Sequence, residues 1–421
     1  MNLSLGLGMH NNLGIPAYRL RAPFTSTWKT DNTGTSTDTQ ITLPLVSTGT
    51  YDFVANWGDG TSDTITAYDQ AEVTHTYSTA GTYTVKIYGT IEGWQFDGGG
   101  DKLKLTNISQ FGNLDITTDA AFYGCSNMTI TATDAPDISS TSLLNMFRDC
   151  SSITTLPSLG NFDTSQVTNM YCMFYGCSSF NQSVSNFDTS QVTNMRDMFV
   201  NCSSFNQSVS NFDTSQVMDM GDMFFGCSSF NQSVSNFDTS QVTDMYRMFY
   251  GCSSFNQSVS NFDTSQVMDM GYMFFGCSSF NQSVSNFDTS QVTNMYRMFA
   301  NCSSFNQSVS NFDTSQVTNM RDMFYGCDSM SSANLGTVKD WTITALTDAE
   351  NFMAGCTNSM STADYDALLI AWEGQTHYTG AANTMPIHFN NATYTAGGAA
   401  EAARTALVND GWDITDGGVA E

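Results

Sequence analysis

A block of 25 residues that occurs six times in succession constrains the fold of this chain more than any other feature. The first copy, SSFNQSVSNFDTSQVTNMRDMFVNC, begins at Ser178, and the sixth copy ends at Cys327. Degenerate units flank these copies: the shorter landmark F-x-x-C recurs from Cys125 onward, and the related FMAGC ends the series at Cys356. One such unit is too small to bury its own apolar side chains, so neighbouring units must stack. The sequence therefore predicts about ten stacked coils within residues 97–356.

The second half of each unit predicts a short helix. In the first copy its apolar residues, from Val192 to Cys202, are spaced at i, i+3, i+6, i+7 and i+10, which is a helical pattern. Asp188, Thr189 or Ser190 is suited to cap the N-terminus of this helix. The residue before the cysteine is Gly or Asn in all six copies, and these two residues best adopt the left-handed conformation that ends a helix.

The first half of each unit, SSFNQSVSNF, predicts a short extended segment with Phe205, Val209 and Phe212 as its apolar residues. Such segments, stacked one unit apart, would pair as parallel strands about 4.8 Å apart. A strand plus a short helix in every unit of about 20–29 residues is the leucine-rich-repeat architecture. The predicted fold class is therefore an α/β leucine-rich-repeat-like solenoid of short parallel strands plus short helices.

The stretch MFYGCSSFNQSVSNFDTSQVTNM resembles the repeat of the BspA-type leucine-rich-repeat surface proteins of bacteria. The resemblance covers residues 101–356. It implies a solenoid that serves in surface adhesion or recognition, and it carries over no catalytic residues.

Residues 22–96 predict a separate all-β sandwich, because apolar residues alternate among frequent Thr, Tyr and Val. The motifs WGDGT, at Trp57–Thr61, and HTYSTAGTYTVKI, at His75–Ile87, resemble the PKD (polycystic kidney disease) domain, which is Ig-like. The resemblance implies a tight Gly-Asp-Gly turn, a buried Trp57 and a late strand at GTYTVKI. Asp59 is a weak candidate for a calcium ligand; a turn carboxylate that accepts bonds from nearby amides is the favoured alternative.

The two ends of the chain leave both patterns. Residues 1–21 are interpreted as an N-terminal arm or attachment peptide, without the basic region that begins a secretory signal. Residues 357–421 predict an α/β cap with a helix in STADYDALLIAW, a strand in MPIHFN, a helix ending near Gly411 and a strand in WDITDGG. Ser361 or Thr362 is the expected N-cap of the first helix, and such a cap would cover the last coil.

The cysteines predict a buried ladder of thiols. Ten of the eleven occupy the same repeat position, where stacked Cβ atoms lie about 5 Å apart instead of the roughly 3.5–4.5 Å that a disulfide needs. Free cysteine packs well as a small apolar residue. The eleventh, Cys172, takes a slot that holds Asp197 or Arg247 in other units, so it is expected to be exposed.

Composition and motifs argue against several functions. The net charge is -27 with only five lysines, which disfavours binding to nucleic acid because phosphates require clustered cations. No stretch approaches the roughly 18 apolar residues of a membrane span. The four histidines show no paired spacing, and one Asp recurs in the same place in each unit, as at Asp188 and Asp213. Acid–base catalysis needs two carboxyls in different environments, whereas a repeated Asp has the same environment in every unit. We therefore expect that the protein is not an enzyme and that it binds no cofactor, with calcium at Asp59 as the one exception considered.

The differences among the six copies predict where a ligand binds. They are confined to positions 193, 194, 196, 197, 200 and 201 of the first copy and to their equivalents. These positions lie between core residues and are expected to face solvent on the convex side; Tyr and Arg are frequent in recognition surfaces. Drift at unconstrained positions is the alternative explanation. The candidate ligand-binding residues are Arg196, Tyr246, Arg247, Tyr272, Tyr296, Arg297 and Arg321.

The invariant half suggests a second possibility. Asn206, Gln207, Ser208 and Ser210 would form an uncharged lattice that suits a periodic ligand such as a polysaccharide or ice. The same side chains are equally suited to satisfy backbone groups within turns, and recent duplication would also explain their identity.

Together these features predict a non-enzymatic adhesion or recognition protein. We expect an extracellular component of a phage virion surface, such as a tail fibre, receptor-binding or capsid decoration protein. Its expected partners are a glycan or protein of the host-cell surface, and other virion or surface proteins through the N-terminal arm. The alternatives are a bacterial cell-surface adhesin, a polysaccharide-acting enzyme with a repeat binding module, and a structural spacer.

Overall fold

The computed structural model describes residues 22–376, 379 and 384–420. The predicted attachment arm, residues 1–21, and the pair His377 and Tyr378 lie outside these residues. Within them, the regular secondary structure is mostly β-strand, accompanied by three α-helices and short 3-10 turns. No helix among the described residues is both long and apolar enough to cross a membrane.

Six strands lie in the region predicted to be a β-sandwich. β6 forms antiparallel pairs with β1 on one side and β3 on the other, and β3 turns back into β4. The short strands β2 and β5 form a separate two-stranded sheet. Trp28 and Trp57 are fully buried in the core of this region. The bounds are β1 Phe24–Lys29, β2 Gln40–Thr42, β3 Tyr51–Asn56, β4 Ser62–Ile65, β5 Thr74–Thr76 and β6 Thr82–Glu92, with a 3-10 helix at Ala71–Val73.

The main sheet continues past the predicted domain boundary between residues 96 and 97. β7 (Leu105–Gln110) pairs antiparallel with β1, while β8 (Leu114–Ile116) pairs parallel with β6. β9 (Thr129–Ile130) and β10 (Asp137–Ile138) then add in parallel to β7 and β8. The sheet therefore changes from antiparallel to parallel pairing where the chain enters the repeats.

The predicted short helices of the repeat are wrong. The second half of each unit is a succession of tight turns, in which Met198 N donates to Met195 O at 3.2 Å and Cys202 N to Phe199 O at 3.0 Å. A left-handed residue, Asp197 in the first copy, lies within the first of these turns and prevents a continuous helix. Consecutive three-residue turns place apolar residues at i and i+3 just as a helix does, so the spacing did not distinguish the two.

Parallel pairing between units is present, but it lies in this turn-rich half and not in the predicted strand. A one-residue parallel bridge joins Asn194 to Asp219, and Phe199 N donates to Met223 O at 3.0 Å. The predicted strand over residues 203–212 is therefore wrong, since no regular strand forms there. The bridged residues are Ser142, Asn169, Asn194, Asp219, Asp244, Asp269, Asn294, Asn319 and Asp348.

Columns of identical side chains fill the interior of the stack. Phe199 and Phe224 stack with ring centroids 5.7 Å apart, and Phe205 packs on Phe199 at 4.3 Å. The ladder cysteines are buried free thiols, as predicted. From Cys150 onward each donates to a carbonyl of the preceding unit; Cys202 Sγ lies 3.0 Å from Phe174 O. Burying one such ring contributes about 1.5–3 kcal/mol, so each unit depends on its neighbours for most of its stability.

The invariant polar side chains bond from one unit to the next. Asn181 Oδ1 accepts from Asn206 N at 2.9 Å and from Gln207 Nε2 at 3.0 Å. Asn211 Nδ2 donates to two carbonyl oxygens of the preceding unit, Val184 O and Phe187 O, both at 3.1 Å. These bonds replace a strand ladder in this half, and those of Asn181 and Asn211 to backbone groups support the backbone explanation for the invariant Asn residues.

The C-terminal region packs against the last unit. Ser361 caps α2, since its Oγ accepts from Asp364 N, and Ala349 forms a parallel bridge with Ile387 of β11. The buried Trp341 packs on Phe324, which is the last ring of the stacked column. Within the repeats the remaining elements are α1 Ser332–Leu335 and 3-10 helices at Leu159–Asn161 and Gly336–Asp340. In the C-terminal region the bounds are α2 Thr362–Glu373, β11 Met385–His388, β12 Thr393–Tyr394, α3 Ala399–Asn409, β13 Trp412–Thr415 and β14 Gly418–Val419.

Candidate recognition face

Side chains at positions 196, 197 and 200 of the first copy, and at their equivalents, form one surface along the stack, here called the variable face. Two residues per unit hold left-handed backbone there. One is the predicted Gly or Asn before the cysteine, such as Asn201 with a φ of 58°. The other, at position 197, is not glycine in any of the six copies, although a left-handed side-chain residue costs about 1–2 kcal/mol. Its occupants are Asp197, Asp222, Arg247, Tyr272, Arg297 and Asp322.

Five of the seven candidate ligand-binding residues form a continuous patch. The Arg247 guanidinium lies 4.6 Å from the ring centroid of Tyr246 and 5.3 Å from that of Tyr272. The Arg297 guanidinium lies 5.0 Å from the centroid of Tyr296, whose ring meets Tyr272 edge to face at 4.8 Å. Cation–π contacts of this kind hold the side chains in place, so the patch is a preformed surface.

Arg196 is bound within a cluster of carboxylates. Its Nη1 lies 3.3 Å from Asp219 and 3.1 Å from Asp244, and its Nη2 lies 3.4 Å from Asp222. The glycine at position 221 leaves room for the Arg196 guanidinium, because a Cβ on Gly221 would lie 3.0 Å from Arg196 Nη1. Burial alone would lower the pKa of the Arg196 guanidinium, but the surrounding carboxylates raise it. Arg196 therefore organises the carboxylates of the face.

The remaining candidate, Arg321, lies at the C-terminal end of the face. Its Nη1 is 2.5 Å from Glu350 Oε2, and its Nε is 3.8 Å from Asp322 Oδ2. Arg297 Nε also contacts Asp322, at 2.9 Å. These arginines keep their charged ends at the surface while they pair with carboxylates of neighbouring units.

An aromatic column at position 200 was not predicted from the sequence. Phe225 stacks on Tyr250 with centroids 4.4 Å apart, and Tyr250 stacks on Phe275 at 4.6 Å. Small residues interrupt the column on both sides, Val200 before it and Ala300 after it. The variation at position 200 was the available signal, but the alignment of these rings along the stack is visible only in the structure.

Each interruption opens a pocket. The first, of about 240 Å³, is lined by Tyr175, Asp197, Val200, Asp222, Phe225 and Arg247. The second, of about 330 Å³, is lined by Phe275, Arg297, Ala300, Asn301, Asp322, Tyr325 and Asn351. Both pockets therefore combine aromatic rings with carboxylate and guanidinium groups.

Burial changes the acidity of the face. It raises the pKa of Asp222 to about 6, a change to which the Asp197 carboxylate adds. Burial also raises the pKa of Asp197 above its ordinary value. The Tyr296 hydroxyl has a pKa raised to about 12, again chiefly through burial. Tyr296 thus remains a neutral hydrogen-bonding group at physiological pH.

A family described as "Mycoplasma protein of unknown function, DUF285" matches residues 141–262 and 247–365. The two matches include all six copies of the repeat and span more than half of the chain. The chain belongs to the DUF285 family. No curated protein and no solved structure matches it. Both pockets of the variable face lie within the DUF285 region.

The Asp that recurs in each DUF285 unit satisfies its own turn. Asp188 Oδ1 accepts from Ser190 N at 3.0 Å, and Asp238 Oδ1 accepts from Ser240 N at the same distance. These backbone bonds lower the pKa of both carboxyls. The carboxylates therefore share one environment, as the capping explanation predicted, although they cap turns and not helices.

The weak calcium candidate, Asp59, precedes the DUF285 region. Its Oδ1 accepts from Thr61 N at 2.9 Å, and its Oδ2 lies 2.9 Å from His75 Nε2. Burial alone would raise the pKa of Asp59, but bonds from Thr61 and His75 lower it to about 2. The His75 ring stacks on Trp57 with centroids 4.6 Å apart. These contacts support the turn explanation for Asp59 and a structural role for His75.

The prediction that Cys172 is exposed is wrong. Only 1% of the residue is accessible, and its Sγ lies 3.8 Å from Asp197 Oδ2. Burial raises the pKa of this thiol to about 12. The cause is the left-handed turn at this position, with a φ of 55°, together with Arg148 and the next unit, which cover the short side chain.

Proposed function

We propose that this DUF285 chain is a non-enzymatic recognition protein that contacts its ligand through the variable face. In this proposal the repeat stack is a leucine-rich-repeat-like solenoid of the BspA type. Residues 22–96 form an Ig-like, PKD-like sandwich before it, and residues 357–421 cap its far end. The stack displays the variable face. Its apolar interior and the invariant polar side chains that bond from one unit to the next maintain the spacing between units.

The observation that carries the proposal is the concentration of sequence variation on the variable face. Core residues, and the polar residues in the first half of the unit that bond from unit to unit, are identical in all six copies, whereas positions 196, 197 and 200 exchange Arg, Asp, Tyr, Phe, Val, Ala and Gly. Drift alone does not favour Arg247, Tyr272 and Arg297 at left-handed positions, where Gly or Asn is less strained. Strain kept at a surface supports a role for those side chains in binding.

We further propose that the protein is displayed on the outside of a particle, as a phage tail fibre, receptor-binding or capsid decoration protein. The acidic, low-lysine composition suits a soluble, exposed surface. The partner would be a glycan or protein of the host-cell surface. Mass spectrometry of purified particles from the source culture tests this location, and absence of the chain from those particles would contradict it.

The binding role is tested with labelled full-length chain on host cells, measured by flow cytometry. The triple variant Y246A/Y272A/Y296A removes three rings of the patch, and we expect cell binding to fall at least tenfold. The matched control, Q216A/Q241A/Q266A, changes one exposed, invariant position in three adjacent units. Equal binding by parent, tyrosine variant and control would identify a spacer and not a recognition protein.

A further inference from the structure

Two gaps in the aromatic column have the thickness of a single ring. The distances from Phe225 to Tyr250 and from Tyr250 to Phe275 are 4.4 and 4.6 Å. Where a small residue replaces the middle ring, the same spacing implies a distance of about 9 Å between the flanking rings. This distance admits one guest ring in contact with both walls, since favourable ring separations are about 4.5–7 Å.

The gaps lie at equivalent places in two units. Val200 replaces the ring between Tyr175 and Phe225, and Ala300 replaces the ring between Phe275 and Tyr325. Both small residues are followed by Asn, whereas every copy with an aromatic residue at this position has Gly next. Positions 200 and 201 therefore change together, and both gaps arise from the same combination of a small residue followed by Asn.

Each gap is edged by groups that accept and donate hydrogen bonds. Carboxylates of Asp197 and Asp222 line the first gap together with the Arg247 guanidinium. Asp322 and Arg297 line the second. A ring with several hydroxyl groups matches this arrangement, because carboxylates accept from hydroxyls and guanidinium groups donate to them.

One residue that lines the first gap, Arg247, has a buried donor without a partner. Arg297 Nε donates to Asp322, which holds position 197 of the following unit. For Arg247 the equivalent residue is Tyr272, and the buried Arg247 Nε has no hydrogen-bond partner in the part of the chain that the structure describes. A guanidinium left incompletely satisfied beside a pocket favours a ligand with oxygen acceptors.

We propose that each gap binds one ring of a neutral saccharide, stacked between the two aromatic walls and held at its hydroxyls by the Asp and Arg side chains. This inference rests on the proposed recognition function and specifies its ligand. The carboxylates at both gaps and the net charge of -27 disfavour an acidic sugar. Aromatic side chains of a peptide would use the walls but not the carboxylates.

The two gaps are suited to act together on one polymer. Val200 and Ala300 are four units apart, which corresponds to roughly 19 Å along the stack at about 4.8 Å per unit. A polysaccharide that occupies both gaps binds with an affinity raised by a high effective concentration. A single gap is therefore expected to bind the same polymer much more weakly than the pair.

The chain supplies its own folding-compatible variants for the test. V200F/N201G and A300Y/N301G each install the residues that other copies carry at these positions, Phe-Gly and Tyr-Gly. They fill one gap without introducing a side chain foreign to the stack. T243M is the control, because Met already occupies this exposed position at Met218 and Met268.

The assay is native affinity electrophoresis of the full chain through gels that contain dextran, mannan, galactan or β-glucan, with hyaluronan and alginate as acidic comparators. We expect retardation by at least one neutral polymer, a roughly tenfold or greater loss of apparent affinity when one gap is filled, and no retardation when both are filled. Control T243M should migrate as the parent does. Retardation by no polymer, by the acidic polymers alone, or equally for the double-filled variant would overturn the proposal.

The same variants separate this inference from the recognition function. If the double-filled variant still binds host cells while Y246A/Y272A/Y296A does not, the variable face recognises a ligand but the gaps do not bind it. If neither variant reduces cell binding, the recognition function itself fails.

Discussion

Replacing Asp222 with Asn should stabilise the chain at neutral pH and leave its stability at low pH nearly unchanged. Only 7% of Asp222 is accessible, and the carboxyl shares its surroundings with Asp197 and with Arg196, whose Nη2 lies 3.4 Å away. Burial raises its pKa to about 6, against an ordinary value of about 3.9. The folded chain therefore holds this proton more tightly than the unfolded chain does.

The sign and size of the effect follow from proton linkage. Because the pKa of Asp222 is higher in the folded state, its contribution to stability is fully present below about pH 4 and is lost as the pH rises through about 6. A difference of about two pKa units corresponds to about 3 kcal/mol. The free energy of unfolding of D222N minus that of the parent should be small near pH 4. It should increase by about 3 kcal/mol between pH 4 and pH 8.

Urea unfolding of the full chain across this pH range measures the effect, as the difference between variant and parent. D238N is the matched control with the opposite sign, because the Ser240 backbone amide lowers the pKa of Asp238. Its destabilisation should be present from neutral pH down to about pH 4. In titrations extended to lower pH it should be lost as the pH falls through the lowered pKa of Asp238. If the difference for D222N does not change with pH, or if D222N is the less stable chain near pH 8, the reasoning is refuted.

Two further predictions concern the interior of the stack. F249A should lower the free energy of unfolding by about 3–5 kcal/mol in urea titrations, because Phe249 is fully buried and its ring centroid lies 5.8 Å from that of Phe224 and 5.7 Å from that of Phe274. The exposed control Q241A should stay within about 0.5 kcal/mol of the parent. A loss below about 1 kcal/mol for F249A would contradict the stacked column. All eleven cysteines are buried, and burial raises the pKa values of their thiols, so a thiol-specific reagent should label the native chain slowly and all eleven sites after unfolding, whereas rapid labelling of the native chain would contradict the ladder.

Several features of the fold were predictable because they depend on local chemistry or on the period. The 25-residue period predicted stacking, and the Gly or Asn before each cysteine predicted a left-handed residue, with a φ of 58° at Asn201. In the C-terminal region, Ser361 caps α2 as expected, and strands and helices occur in the predicted order. These features need only a backbone preference or an apolar pattern within a few residues.

The internal form of each unit was not predictable in the same way. The spacing of apolar residues from Val192 to Cys202 fits a helix and a series of tight turns equally well. The left-handed residue at position 197, which decides between them, carries Asp, Arg or Tyr and gives no local signal. Likewise, Asn206 and Gln207 showed no preference for a ligand or for a neighbouring unit until Asn181 was placed beside them.

The repeat of the units, the interior position of their apolar and thiol side chains, and the concentration of their differences at a few positions all follow from the amino-acid sequence alone. Two further properties became visible in the folded chain: among the described residues Arg247 Nε has no partner where Arg297 Nε contacts Asp322, and Val200 and Ala300 leave gaps between aromatic rings. They could not be predicted because they depend on contacts between residues one or more repeats apart. The residue type at a position can be read from its own unit, whereas its contact partner is a residue of the unit stacked against it.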